Sequence, residues 1–192
     1  MQVTISREVP PDAPAIEALV KDAFANMVKS SHTEHLVVNA LREADALTIS
    51  LVAKDSATAQ ILGYVAVSPV YIAQAAPMES NIADTFNTSQ PDLKTFGLAP
   101  VAVKSTVRRQ GIATRLIQEA MKLLMEMDDV LGCVVVGNPA FYGRFGFSHQ
   151  PELVLDMPGI PQQYFMYNHI GGGNRPAAKG AVSYHSSFAV ME

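Results

Sequence analysis

The sequence predicts an α/β (α+β) fold, a mixed central sheet with helices packed on it. Three observations predict it. Residues 110–127 carry Ile112, Ala113, Leu116, Ile117, Ala120, Leu123 and Leu124 in one apolar stripe at helical spacing, with Arg115, Gln118, Glu119, Lys122 and Glu126 off it. Residues 130–136 form an unbroken apolar run, the pattern of a strand covered on both faces. The other strand-like and helix-like segments succeed one another without the regular alternation of a doubly wound sheet.

In chain order, residues 3–9 read as a first strand, stopped by Pro10 and Pro11, with Asp12 placed to cap the next helix. Residues 13–27 place Ile16, Leu19, Val20, Ala23 and Phe24 at helical spacing. Residues 30–33 break that helix, and residues 34–44 form a second with Leu36, Val37, Ala40 and Leu41 on one face. Residues 47–54 and 61–72 pair as a hairpin across the turn at 55–58, the second strand interrupted near Pro69. Residues 74–91, rich in Ala, Pro, Ser, Asn and Asp, read as a loop too long for a simple connection. A strand at 94–103, a break at 104–108, the helix at 110–127 and the strand at 130–136 come next. Residues 139–144 suit a short helix closed by Gly146. Strands at 147–157 and 182–190 flank a Gly/Pro loop at 171–179. A length of 192 residues without internal repeat suits a single domain over 1–192.

Composition narrows the function classes. The chain is 48% hydrophobic and only 17% charged, which argues against disorder. Net charge is -4 with no long run of like charges, which argues against a nucleic-acid partner. Cys133 is the single cysteine, so neither an internal disulfide nor a multi-cysteine zinc site forms, and its apolar surroundings read as burial. His149, His169 and His185 have no metal-ligand spacing, so no metal is expected. No signal core stands in the first ten residues and no membrane span is expected, so the protein reads as cytoplasmic with no membrane partner.

The chemistry concentrates in residues 98–117. A strand ends, a short loop intervenes, and a helix begins at an Arg-x-x-Gly-x-Ala element, Arg108 to Ala113. The N-terminus of a helix presents unpaired N–H groups and the positive end of its dipole, a ready anion site. Gly111 and Ala113 leave room for a phosphate to approach the backbone, and Arg108 and Arg109 add charge beside it. The element lacks the Gly-Lys-Ser/Thr ending of a P-loop and the Gly-x-Gly-x-x-Gly of a dinucleotide site.

This segment resembles motif A of the GNAT (Gcn5-related) N-acetyltransferase superfamily. There a strand ends in Val and a long helix starts at Arg/Gln-x-x-Gly-x-Gly/Ala. Val101, Ala102 and Val103, then Arg108, Gly111 and Ala113, match it. One helix and one strand later, Tyr142, Gly146 and Phe147 match the Tyr-x-x-x-Gly-Phe of motif B. Residues 98–103 and 139–147 look especially like the YhbS-like branch, and weaker likeness extends to 36–42 and 184–188. Ser105 stands where the family often has Pro, and Asn138 lies closer to Tyr142 than the usual motif B Asn.

The resemblance implies a GNAT acyl-CoA N-acyltransferase fold, whose mixed central sheet is splayed and flanked by helices. It implies acetyl-CoA as co-substrate, no metal, and direct transfer of the acetyl group to a primary amine of a small molecule or protein. The sheet would open between strands 94–103 and 130–136, with pantetheine pairing to backbone at Val101 and Val103. A bulge near Ala102 would aim an N–H at the thioester carbonyl. The amides of Arg109, Gln110, Gly111, Ile112, Ala113 and Thr114 would hold the pyrophosphate. Asn138 either bonds the pantetheine or shapes the turn before Pro139. Tyr142 is the catalytic candidate, a phenol that donates to the departing thiolate, against the reading of an aromatic packed beneath the cofactor. His32, Glu34 and His35 are candidate bases on the acceptor side, and Glu79 and Asp84 belong to a loop suited to gate it. A homodimer stays open as the assembly. The competing class is a non-catalytic acyl-CoA-binding sensor, which would keep the helix start and not need Tyr142.

Overall fold

A computed structural model describes residues 2–28, 30–73, 93–157, 159–172 and 178–191. The loop expected at 74–91, with Glu79 and Asp84, lies outside the described residues, as does most of the loop expected at 171–179.

The described elements are β1 (Val3–Arg7), α1 (Ala13–Phe24), α2 (Glu34–Glu43), β2 (Ile49–Asp55), β3 (Ile61–Ala73), β4 (Lys94–Val103), α3 (Ile112–Met125), β5 (Val130–Val136), α4 (Pro139–Tyr142), β6 (Leu153–Leu155), β7 (Phe165–His169) and β8 (Gly180–Tyr184). All eight described strands join one mixed sheet in the order β1-β2-β3-β4-β5-β7, with β8 added to β3 and β6 to β8. The pairs are antiparallel except β4–β5 and β6–β8.

The two sheet faces carry different layers. On one, Ile112, Leu116, Ile117, Ala120 and Leu124 of α3 pack on Leu51, Val65, Val67, Phe96 and Leu98. On the other, Ile16, Leu19 and Val20 of α1 and Val38 of α2 pack on Val52, Tyr64, Ala66 and Ala102. The α1 and α3 stripes are the ones the helical spacing predicts; in α2 the buried apolar residues are Val37, Val38 and Leu41, and Leu36, expected on that face, is exposed. Farther along that second face, Leu153, Leu155 and Val182 cluster with Val70, Val134 and Tyr167. Cys133 is fully buried in the α3 layer, and burial pushes its thiol pKa up, away from a reactive thiolate.

Four differences from the sequence expectation have physical causes. β3 runs unbroken through Pro69. β2 stops pairing at Val67 and β8 starts at Val70, so Pro69 sits where that edge has no neighbour to receive an N–H. Strand β7 is absent from the sequence expectation, and its five residues become a strand because β5 offers an antiparallel edge from Gly132 to Val136. The strand expected at 182–190 ends at Tyr184, and Ser186–Met191 coils as a 3-10 helix. That expected at 147–157 shrinks to Leu153–Leu155, which pair with β8, and a single bridge from Ser148 to Tyr167 of β7.

The feature that positions the site is the incomplete β4–β5 pairing. Their parallel register runs from Lys94↔Val130 to Gly97↔Val134 and stops, while β4 continues to Val103. The sheet therefore splays between β4 and β5, and among the described residues no strand pairs with 98–103 on that side.

Candidate active site

β4 enters the opening with an irregularity. It pairs with β3 as Leu98↔Val67 and then Val101↔Val65, so three steps on β4 oppose two on β3. The extra residue lies at Ala99-Pro100, whose peptide bond is cis. The bulge expected near Ala102 is thus displaced toward the root of the opening. Ala102 itself pairs in register with Tyr64, and its side chain packs against the α1 layer. Val101 and Val103 project from the opposite face and line a cavity of about 710 Å³.

The start of α3 forms the second wall. After β4, residues Ser105–Val107 make one 3-10 turn, and Arg108 is extended. Arg109 has φ 62° and Gly111 φ 79°, both left-handed. Glycine takes that conformation without the Cβ penalty, and at position 111 a Cβ would meet nothing within 4 Å. Gly111 is the N-cap, so α3 begins at Ile112, and Gln110 stands in the turn and not in the helix as expected. No side chain caps this end, so its first amides keep their donor capacity toward the cavity. Arg109, Gly111, Ile112, Ala113 and Thr114 line the cavity, and Gln110 does not.

Arg108 also lines the cavity, but its guanidinium is engaged. Nη2 donates to the carbonyl of Ala23 at 3.0 Å and Nε to that of Val103 at 3.4 Å. Ala23 belongs to the last turn of α1, where unpaired carbonyls gather and a cation is favoured. Arg108 thereby ties α1 to the end of β4, and Ala23, Phe24 and Met27 close that side of the cavity.

The third wall is α4. Asn138 is its N-cap, and its Oδ1 accepts from the Ala140 N–H at 2.9 Å. That shapes the turn before Pro139; the Asn138 side chain is not among the cavity-lining groups. Tyr142 lines the cavity and packs edge-on against Phe141 at 4.9 Å and Phe147 at 6.0 Å between centroids. Burial pushes its phenol up to about 12, so it stays protonated at neutral pH.

Sequence reasoning missed Arg144. Its guanidinium lies 4.4 Å from the centroid of Phe141, it donates to Thr114 Oγ1 at 3.4 Å, and it lines the cavity. The cavity thus presents Arg109, Arg144 and the uncapped α3 amides together, a set suited to polyanions. The available signal was its place inside the motif B stretch.

The acceptor-side candidates separate. His32 is exposed, with Nδ1 2.9 Å from the Phe24 carbonyl, and fastens the α1–α2 connection. Glu34 and His35, at the start of α2, are buried. Among the described residues no group of three His, Cys, Asp or Glu could hold a metal ion.

Comparison with known proteins accords with this geometry. The chain is 34% identical over 183 residues to the uncharacterized N-acetyltransferase YhbS of Escherichia coli K12, spanning 94% of this chain and 95% of that protein. The chain belongs to the GNAT family of acetyltransferases. Residues 80–150 match the Acetyltransferase (GNAT) domain. The GNAT acetyltransferase of Brucella melitensis, solved in complex with acetyl-CoA, is similar with a TM-score of 0.72 and 32% identity over 97% of this chain and 98% of that one. Escherichia coli YhbS, solved in complex with CoA, has a TM-score of 0.79 and 32% identity, covering 98% and 93% of the two chains. The splayed mixed sheet is the fold of this GNAT chain, and its enzyme class is acyltransferase.

Proposed function

We propose that this chain binds acetyl-CoA in the opening between β4 and β5 and transfers the acetyl group directly to a primary amine. The observation that carries the reading is one cavity joining the unpaired end of β4, the uncapped start of α3 and the Tyr142 ring. The acetyl-CoA and CoA complexes of the two similar structures support it. All described strands belong to one sheet, which supports a single catalytic domain over 1–192.

Each wall offers a distinct role. The amides from Arg109 to Thr114 hold the pyrophosphate, with Arg109 and Arg144 adding charge; Arg108 holds the turn in place through Ala23. The backbone of β4 between Leu98 and Val103, unpaired toward β5, pairs with the pantetheine arm. An N–H there polarises the thioester carbonyl and receives the oxyanion. The amine lone pair forms the C–N bond, the C–S bond breaks, and the Tyr142 phenol gives its proton to the departing thiolate. The amine proton leaves to a base or water on the acceptor side. No thiol nucleophile is used, in keeping with the burial of Cys133.

A cytoplasmic location is part of this reading. No described helix is long and apolar enough to cross a membrane.

Calorimetric titration with acetyl-CoA, with free CoA and NAD as comparisons, tests the reading. Saturable binding selective for the CoA compounds is expected, then CoA release when an amine acceptor is added. A folded protein that binds neither would overturn it.

A further inference from the structure

Among the described residues, four buried side-chain polar atoms have no hydrogen-bond partner: Glu34 Oε2, His35 Nδ1, Ser68 Oγ and Tyr184 Oη. Leaving such groups unpaired is costly, so a cluster of them points to a ligand that completes them. Ser68 and Tyr184 stand beside Gly97, Glu34 and His35 at the start of α2, and none is used by the transfer chemistry above.

Gly97 is the last β4 residue paired with β5, so it marks the root of the opening. The Tyr184 ring lies directly on it: a Cβ at position 97 would stand 2.5 Å from Tyr184 Cε1. Ser68 is the register partner of Gly97 on β3. Its side chain shares the face of Ala66 and Val70, the face that carries α1 and α2. Tyr184 in turn stacks on Phe188 at 4.7 Å, and Phe188 packs on Val37 and Leu41 of α2. Glu34 precedes Val37 and Val38 by one helical turn and shares their buried face. Tyr184 and Ser68 therefore flank the root of the opening on the face away from α3, and Phe188 links Tyr184 to α2.

The chemistry of the cluster is uneven in a useful way. Glu34 keeps one oxygen on Ser30 Oγ at 2.5 Å and leaves the other free. Among the described residues no cation pairs with it, whereas Glu8 and Asp12 pair with Arg42 and Lys54. A buried carboxylate without a cation asks for one. Ser68 donates or accepts. Burial pushes the Tyr184 phenol well above its ordinary range, with Cys133 and Tyr142 adding to this, so it is a standing donor.

We infer that Glu34, Ser68 and Tyr184, with His35, bind the acceptor, and that the acceptor is a polar primary amine: an ammonium group for Glu34, with hydroxyl or amide groups alongside it for Ser68 and Tyr184. This rests on the acetyl-transfer reading and names the substrate class of the same site. These residues position the acceptor and select it.

The test measures CoA release by the full chain with acetyl-CoA and three probes: 1,3-diamino-2-propanol, glucosamine and n-butylamine. Acetyl-CoA affinity is measured in parallel by calorimetry. The wild-type protein should favour a hydroxylated amine over n-butylamine at least tenfold in kcat/KM. Glu34→Gln and Tyr184→Phe should each raise the acceptor KM tenfold or more, with acetyl-CoA affinity within twofold of wild type. Equal use of n-butylamine overturns the inference. So does an unchanged acceptor KM in both variants, or a protein that binds acetyl-CoA yet neither binds nor acetylates any probe. Failure to bind acetyl-CoA at all would instead remove the reading beneath it, and this inference with it. Ser68→Ala, a small change at a buried site, provides a further variant if either of the others fails to fold.

Discussion

The Tyr142 ring lies against the backbone of Gly137, so closely that a Cβ on residue 137 would overlap Cε2 of the ring. The end of β5 and the start of α4 are thereby locked together, and the phenol is held in the cavity wall by Gly137, Phe141 and Phe147. Gly137→Ala should displace the ring. We expect kcat to fall at least tenfold in a protein with unchanged far-ultraviolet circular dichroism. Full activity would show that the ring position does not matter to turnover.

Tyr142→Phe removes the hydroxyl and keeps the packing. Turnover should fall ~100-fold or more, the range of general acid catalysis, while acetyl-CoA affinity stays near wild type. Steady-state kinetics beside calorimetry reads both. A loss of affinity with kcat unchanged would assign Tyr142 to packing beneath the cofactor.

The pH behaviour of the same phenol has a definite sign. Burial holds its folded-state pKa at about 12, above the ordinary value of 10.0. A proton held more tightly in the folded state contributes stability that is full below pH 10 and is lost as pH rises toward 12. Tyr167 shifts the same way, to about 12, and burial pushes Tyr64 and Tyr184 up as well. In an absorbance titration at 295 nm these four phenols should ionise only above pH 10, together with loss of near-ultraviolet dichroism. Ionisation of all six tyrosines near pH 10 in a folded protein would contradict their burial.

At Gly111 two substitutions separate backbone strain from blockage. Gly111→Ala places a methyl in open space but forces φ 79° on an L residue, which costs about 1 kcal/mol. Gly111→Glu adds bulk and negative charge beside the α3 amides. Thermal melts should show a similar modest loss for both. Acetyl-CoA binding should survive in the alanine variant and vanish in the glutamate variant; equal affinity in both would remove the pyrophosphate from this turn.

Arg108→Ala should destabilise the fold by about 1–3 kcal/mol, since a charge-assisted bond to the α1 terminus is lost. Denaturant unfolding measures this. Among the described residues Arg109 makes no comparable bond, and it is exposed, so Arg109→Gly relieves its φ of 62° and should leave stability equal or higher.

Much of this was legible in the sequence because it is written in local patterns. The apolar stripe of α3, the Arg-x-x-Gly-x-Ala helix start and Tyr142 with Gly146 and Phe147 each depend on residues within a turn or two, where spacing dictates geometry. Strand β7 and the end of β8 were not legible. Short segments such as Phe165–His169 take strand form only when another strand presents a free edge, and the sequence does not say which edge is free.

The sequence by itself determined the family, the helix that presents its amides and the aromatic cluster around Tyr142. Only the tertiary structure decided that Arg108 reaches across 85 residues to Ala23, that β4 parts from β5 after Gly97, and that Tyr184 covers that glycine. The reason is that local geometry is set by near neighbours along the chain. Which strands pair, and where pairing stops, is set by a competition among all segments at once. The opening that forms the site is a place where that pairing ends.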